Sequence, residues 1–382
     1  MKKTYSIQSY YVDLAKEYYT DRPFWGKLTK PTMVTLKPTL KCVAQCPHCE
    51  ARLKDFDFPP DTKRVFTIEE YRDLFKTLKS IGTEKITISG GEPLSYRYLT
   101  EMIYYASMEG LNVILNTNGW LLRKRKFKEF VEAGLDQVAM SIDSPIPEMH
   151  DRLRVLPGLF ERATSRMKEI REEWGDRFVL NIRMILHKYT YQDIPKMIDL
   201  CQSLDADALS IDMIENDFEK KLFLLNEEEI QNFNQVQKQQ IIDKLNQVFF
   251  ESEELRSNAI AQIQGMFDLD FNPASNFAQG IFWPDDRIKQ KCTIPSSFMI
   301  LEGNGPVLAC NPIEYTRNPI VGNILEDSIK DIWNNKAWTE FRENKMDFCR
   351  FCPMNMSHMV IFKQQTIEHT VDENLLNLLQ KK

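Results

Sequence analysis

The sequence has no apolar run near the roughly 18 residues that a membrane helix needs, so no membrane span is expected. Its two early lysines, Lys2 and Lys3, are followed by no apolar core of the kind that directs export. It lacks a basic excess as well: 49 Lys and Arg stand against 55 Asp and Glu, a net charge of −6, too little positive charge for a general nucleic-acid binder. An anionic small substrate remains compatible with that balance. Cysteine is sparse, with eight in 382 residues, which excludes a disulfide-stapled mini-protein. No internal repeat or low-complexity tract interrupts the chain. What is there suits a globular enzyme of the cytoplasm: 43% hydrophobic and 27% charged residues, with thiols kept reduced and free to bind metal.

Between Thr32 and Met213 short β-rich runs alternate with amphipathic stretches. The runs are Thr32–Leu36, Lys85–Ser89, Asn112–Asn116, Gln137–Ile142, Phe178–Ile185 and Ala208–Met213. Helical patterns fill the gaps at Ile68–Ile81, Tyr98–Glu109, Lys124–Ala133, Phe160–Glu173 and Ile194–Leu204. Thr67 with Glu70 reads as a capping box at the first helix. Such alternation implies parallel βα units wound into a closed or partly closed barrel. Strand alternation separates an apolar set, such as Ile86 and Ile88, from a polar set that includes Asn116, Ser141, Asn181, Arg183, Ser210 and Asp212. A barrel clothed by helices with a polar lumen accounts for that division.

Beyond the barrel the pattern changes. Asn226 to about Glu251 predicts one long helix with Ile230, Phe233, Ile241, Leu245 and Val248 on its stripe. Phe267–Asp286 is aromatic and carries Pro273 and Pro284, which suits either a lid or a packed connector. Asp372–Leu379 suggests a final helix. The chain therefore divides into an N-terminal extension (1–31), the barrel (32–215), a helical connector or lid (216–291), a cysteine-bearing module (292–360) and a C-terminal helix (361–382).

Seven cysteines fall in two groups. Cys42, Cys46 and Cys49, spaced by four and three, follow the first strand and so lie on the loop face where such barrels work. Three thiolates can hold a [4Fe–4S] cluster with one iron left open. The same residues, with His48 as a fourth ligand, could instead hold zinc. Cys292, Cys310, Cys349 and Cys352, the last pair a CxxC, suffice to close a tetrahedral site. Cys201 stands alone in a helix and reads as a small buried hydrophobe. His150, His187, His358 and His369 carry no recognisable spacing.

Cys42, Cys46 and Cys49 resemble the CxxxCxxC signature of the radical S-adenosylmethionine (radical SAM) superfamily. Ser89-Gly90-Gly91-Glu92-Pro93 at the second strand end is similar to that superfamily's GGEP motif. Asn116-Thr117-Asn118-Gly119 and Ser141-Ile142-Asp143 end the next two strands, where the family places ribose contacts. The resemblance covers roughly residues 30–215. It implies a partial (β/α)6 TIM-like barrel of α/β class, with a [4Fe–4S] cluster on Cys42, Cys46 and Cys49 and S-adenosylmethionine as cofactor. Gly90, Gly91, Glu92, Pro93, Asn116, Asn118, Ser141, Asp143, Asn181 and Arg183 are then the expected cofactor contacts.

The second group, with Gly305–Cys310, Val321-Gly322-Asn323-Ile324 and Asp331-Ile332-Trp333, is similar to the SPASM or shorter twitch extension of such enzymes. Its four cysteines imply one auxiliary [4Fe–4S] cluster. The implied activity is reductive cleavage of S-adenosylmethionine to a 5′-deoxyadenosyl radical that abstracts a substrate hydrogen, with an external reductant such as flavodoxin or ferredoxin. A single auxiliary cluster suits oxidation of a small polar substrate such as a sugar or aminocyclitol, with Arg183 binding an anion and Asp212 accepting a proton. Maturation of a ribosomally made peptide is the alternative, although only about forty residues precede Cys42, few for a leader-binding domain. A non-catalytic zinc or Fe–S protein is the third reading, and it leaves the GGEP segment without a use.

Overall fold

A computed structural model describes residues 1–7, 30–49, 65–214, 221–284, 294–310, 320–343, 349, 352, 358–375 and 377. Strand β1 spans Lys2–Ser6 and β2 spans Met33–Lys37. Then βα units follow: α1 (Ile68–Ser80), β3 (Lys85–Ile88), α2 (Leu99–Met108), β4 (Asn112–Thr117), α3 (Lys124–Glu132) and β5 (Gln137–Ser141). They continue through α4 (Pro147–Arg154), α5 (Leu159–Trp174), β6 (Val179–Leu186), α6 (Ile194–Ser203) and β7 (Ala208–Met213).

The six strands β2 to β7 pair in chain order and are all parallel, so each crossover advances one step in the same direction. The sheet ends in two different edges and does not close, which makes it a partial (β/α)6 barrel. Ile86, Ile88, Val113, Leu115, Val138, Met140, Leu180, Ile182, Leu209 and Ile211 are fully buried in one core. The alternate residues form the polar face. The Thr67 capping box opens α1, with Glu70 N–H donating to Thr67 Oγ1 and Thr67 N–H to Glu70 Oε2.

The predicted long helix is divided. Its α-helical parts, α7 (Glu227–Asn232) and α8 (Lys238–Gln247), flank a π-helical segment at Phe233–Gln237. That wider turn keeps both Phe233 and Gln237 buried. Val248 lies past the helix end in extended backbone, so it leaves the expected stripe. Helix α9 (Glu253–Gly265) and the short α10 (Ala274–Ala278) follow. Phe267, Phe277 and Phe282 are buried, with Phe267 edge-on to Phe233 and Phe277, so the described part of this stretch packs against the preceding helices.

Strands β8 (Phe298–Glu302), β9 (Pro306–Leu308) and β10 (Ile320–Asn323) carry the C-terminal segment onto the barrel. Strand β8 pairs parallel with β2, and β9 and β10 continue antiparallel. Helices α11 (Ile329–Asn334) and α12 (Lys336–Glu343) lie beyond. At the opposite edge β11 (His358–Ile361) pairs antiparallel with β7. Strand β12 (Thr366–Thr370) pairs with β1 beneath the strand starts. There Lys3 is buried against Asp136, and His369 Nε2 lies 3.2 Å from Asp136 Oδ1. The helix expected over Asp372–Leu379 falls largely outside the described residues. Among the described residues no helix is long and apolar enough to cross a membrane.

Candidate functional site

Strand β2 delivers the chain to the loop of Cys42, Cys46 and Cys49 at the C-terminal end of the barrel. Cys46 is buried, Cys49 half-buried and Cys42 exposed. A turn closes the second half of the loop, Cys49 N–H donating to Cys46 O at 3.1 Å. The loop's approach is clamped by the segment after β3: Gly91 N–H donates to Thr39 O at 2.9 Å and Glu92 N–H to Lys41 O at 2.7 Å. Such contact needs glycine. Gly90 has φ +118°, and a Cβ at Gly91 would stand 2.4 Å from the Leu40 carbonyl carbon.

Glu92 is turned inward, 1% exposed, and its carboxylate accepts from Thr117 Oγ1 at 2.6 Å, Asn118 N–H at 2.9 Å and Leu94 N–H at 3.0 Å. Burial pushes its pKa up against the pull of those three donors. Pro93, itself buried, opens a single turn, Pro93–Ser95. Asn118 Nδ2 lies 3.6 Å from Cys42 Sγ, and Asn116 is half-buried at the end of β4. Glu92 thus joins the ends of β3 and β4 under the cysteine loop.

Asp143, an expected ribose contact, is 0% exposed. Its carboxylate is held by Arg154, with Nη2 at 2.7 Å from Oδ1 and Nε at 2.6 Å from Oδ2, and Ile185 N–H reaches Oδ1 at 3.3 Å. Its place is therefore beneath the loop, not on the open cleft, because the Arg154 fork occupies both oxygens. Burial alone would raise its pKa, but Arg154, His48 and His150 hold it well below the usual carboxylate range. His150 Nδ1 accepts the Asp143 N–H at 3.1 Å, and His187 Nδ1 accepts the Tyr189 N–H at 3.2 Å. Burial pushes both imidazoles down to about 4, so they are neutral at physiological pH. His48 completes the group, 3.8 Å from Asp143 Oδ2. Arg154, His150 and His187 went unrecognised in the sequence. A usable signal existed: His150 and Arg154 are four residues apart, on one face of a helix that opens on Pro147.

On the lumen face Asn181 Nδ2 donates to Ser210 Oγ at 3.0 Å. One step further along, Arg183 Nε donates to Asp212 Oδ2 at 2.8 Å, with 38% and 21% of those side chains exposed. Ser141 pairs in register with Arg183 and is half-buried. The polar row thus crosses β5, β6 and β7.

Cys310 follows β9 and is buried. Cys352 N–H donates to Cys349 O at 3.1 Å, the same turn as at Cys46 and Cys49. Trp283 Nε1 donates to Cys352 O at 3.2 Å, tying the connector to that turn. Cys292 lies outside the described residues. Cys201 is fully buried in α6, its thiol pushed far up by burial.

The donor set fits an iron–sulfur cluster. Three thiols share one loop, and an arginine N–H stands by Cys46. Among the described residues no three His, Cys, Asp or Glu side chains are drawn into a closed metal-binding group.

Two family models match. Residues 36–201 match the radical SAM superfamily, and residues 292–353 match the SPASM model, an iron–sulfur cluster-binding domain. Fe-coproporphyrin III synthase of Methanosarcina barkeri is 32% identical over 173 residues, 45% of this chain and 41% of that protein. AdoMet-dependent heme synthase of Oleidesulfovibrio alaskensis is 31% identical over 180 residues, 47% of this chain and 44% of that protein. The chain thus spans less than half the length of these curated relatives. Among solved structures, SuiB of Streptococcus suis bound to S-adenosylmethionine superposes with TM-score 0.60 at 14% identity, over 86% of this chain and 72% of that one. The enzyme anSMEcpe with bound AdoMet gives TM-score 0.58 at 15% identity, over 85% and 88%. At such identities the likeness is one of fold.

Proposed function

This chain belongs to the radical SAM superfamily and carries a SPASM domain, families that bind S-adenosylmethionine and [4Fe–4S] clusters, and we propose that it oxidises a small polar substrate held in the barrel lumen. When bound, S-adenosylmethionine and its cluster would supply the chemistry of hydrogen abstraction, and an auxiliary cluster would supply an electron acceptor. Cys42, Cys46 and Cys49 would hold the first cluster, and Cys292, Cys310, Cys349 and Cys352 the auxiliary one.

The observation that carries the substrate reading is the half-exposed Arg183–Asp212 pair beside Asn181 and Ser210. Arg183 would grip an anionic or hydroxyl-rich group, and Asp212 would take the hydroxyl proton as an alcohol becomes a ketone. The Gly90–Gly91 backbone, Pro93, Asn116, Asn118 and Ser141 would line the cofactor, with Glu92 and Asp143 fixing the loops around it. The reductant would be a small external carrier such as flavodoxin or ferredoxin, in a cytoplasmic setting.

A second reading follows from the relatives' names: a porphyrin carboxylate, which Arg183 would bind equally well. The fold shared with SuiB, solved with the precursor peptide SuiA, keeps a peptide substrate as a third.

Anaerobic reconstitution tests the metal assignment, with about eight irons per chain expected and about four removing the auxiliary cluster. Wild type should release 5′-deoxyadenosine with strong reductant and a candidate substrate. If polyols, porphyrins and peptides are compared, only the true class should raise that yield, and an unchanged yield with polyols would overturn the leading reading.

A further inference from the structure

The cysteine loop rests on the C-terminal end of α4, and Arg154 meets it through both backbone and side chain. Its carbonyl oxygen accepts the Gln45 N–H at 3.0 Å. Its Nη1 stands 3.9 Å from Cys46 Sγ, and Cys46 Sγ is also 3.9 Å from the Arg154 carbonyl oxygen. On its other side the guanidinium is fixed by the two Asp143 contacts at 2.7 and 2.6 Å.

The backbone contact would hold the loop whatever side chain stood at this position. The side chain adds something else: a permanent cation, 11% exposed, beside the most buried thiol of the three, and an anion, 0% exposed, on the cation's far side. Charges removed from water act strongly over such distances. Neighbouring charge and N–H groups aimed at sulfur are among the features that set an iron–sulfur potential.

We propose that Asp143 and Arg154 set the reduction potential of the cluster bound at Cys42, Cys46 and Cys49. Arg154 favours the reduced state, which carries one more negative charge, and Asp143 offsets part of that effect. They are positioning residues and need not touch S-adenosylmethionine or substrate. This inference rests on the preceding functional reading.

The test uses the full chain, reconstituted anaerobically as wild type, Arg154→Gln, Arg154→Lys and Asp143→Asn. Iron content is measured, and the cluster whose paramagnetic signal responds to added S-adenosylmethionine is titrated without it. Arg154→Gln should shift the potential to more negative values and Asp143→Asn to more positive ones, while Arg154→Lys stays nearer wild type. Opposite signs are what a purely structural role would not produce. Shifts of the same sign, no shift, or loss of this cluster from all three variants would overturn the inference. A wild type that binds cluster and yields 5′-deoxyadenosine, with potentials unmoved in the variants, sinks this inference alone. A wild type that holds no cluster sinks the functional reading and this inference with it.

Discussion

Glu92 and Asp143 sit in motifs expected to contact the cofactor, yet each spends its carboxylate on the protein. Glu92 bridges Thr117 and Asn118, and Asp143 grips Arg154. Motif text marked where the site is but not which way each side chain turns, because direction depends on partners from other strands. Two residue-scale consequences are measurable. Gly91→Ala forces a Cβ into the Leu40 backbone, so iron should fall from about eight to about four per chain while far-ultraviolet circular dichroism stays unchanged. The second concerns pH. His150 and His187 have folded pKa values near 4 against 6.5 when exposed, so the unfolded chain binds protons first as the pH drops. Stability should fall as pH descends from 6.5 toward 4, by up to roughly 3 kcal/mol for each imidazole. Urea midpoints between about pH 7 and about pH 5 check this, and His150→Asn should flatten the slope.

At the scale of elements, the six barrel strands were legible because each carries a period of two between helices of period near four. Helix α4 was not, since eight residues that open on Pro147 offer too few turns to show a stripe. Strands β1 and β12 escaped for another reason. Each is five residues long, and only their mutual pairing gives them a face. One recurrent device stabilises the strand starts: an aspartate just before a strand accepts the N–H of the neighbouring strand and a buried cation. Asp136 takes Val113 N–H at 2.6 Å with Lys3, and Asp207 takes Leu180 N–H at 2.7 Å with Arg171. Asp207→Asn keeps an acceptor for Leu180 but removes the buried counter-ion of Arg171, leaving it only the exposed Asp176 and Asp205 at 3.6 and 3.9 Å, so a loss of up to ~3–5 kcal/mol is expected in equilibrium unfolding.

For the whole molecule, the least legible feature was where the C-terminal segment goes. Its text suggests a small module, and the strands of that segment also extend the sheet, β8 at one barrel edge and β11 at the other. Edge pairing between strands more than 250 residues apart leaves no local trace, since β2 and β8 read as ordinary apolar runs. Ending the chain at residue 291 should uncover the β2 edge, where Val34 and Leu36 are now fully buried. We expect that truncation to aggregate, as read by soluble yield and size-exclusion profile.

Because β8 seals it, β2 is bonded on both sides, and the strand that launches the cysteine loop has no free edge. Its amides should therefore exchange with deuterium only when the whole sheet opens. The cysteine loop should therefore start, after Pro38, from backbone spared the slow breathing of an edge strand.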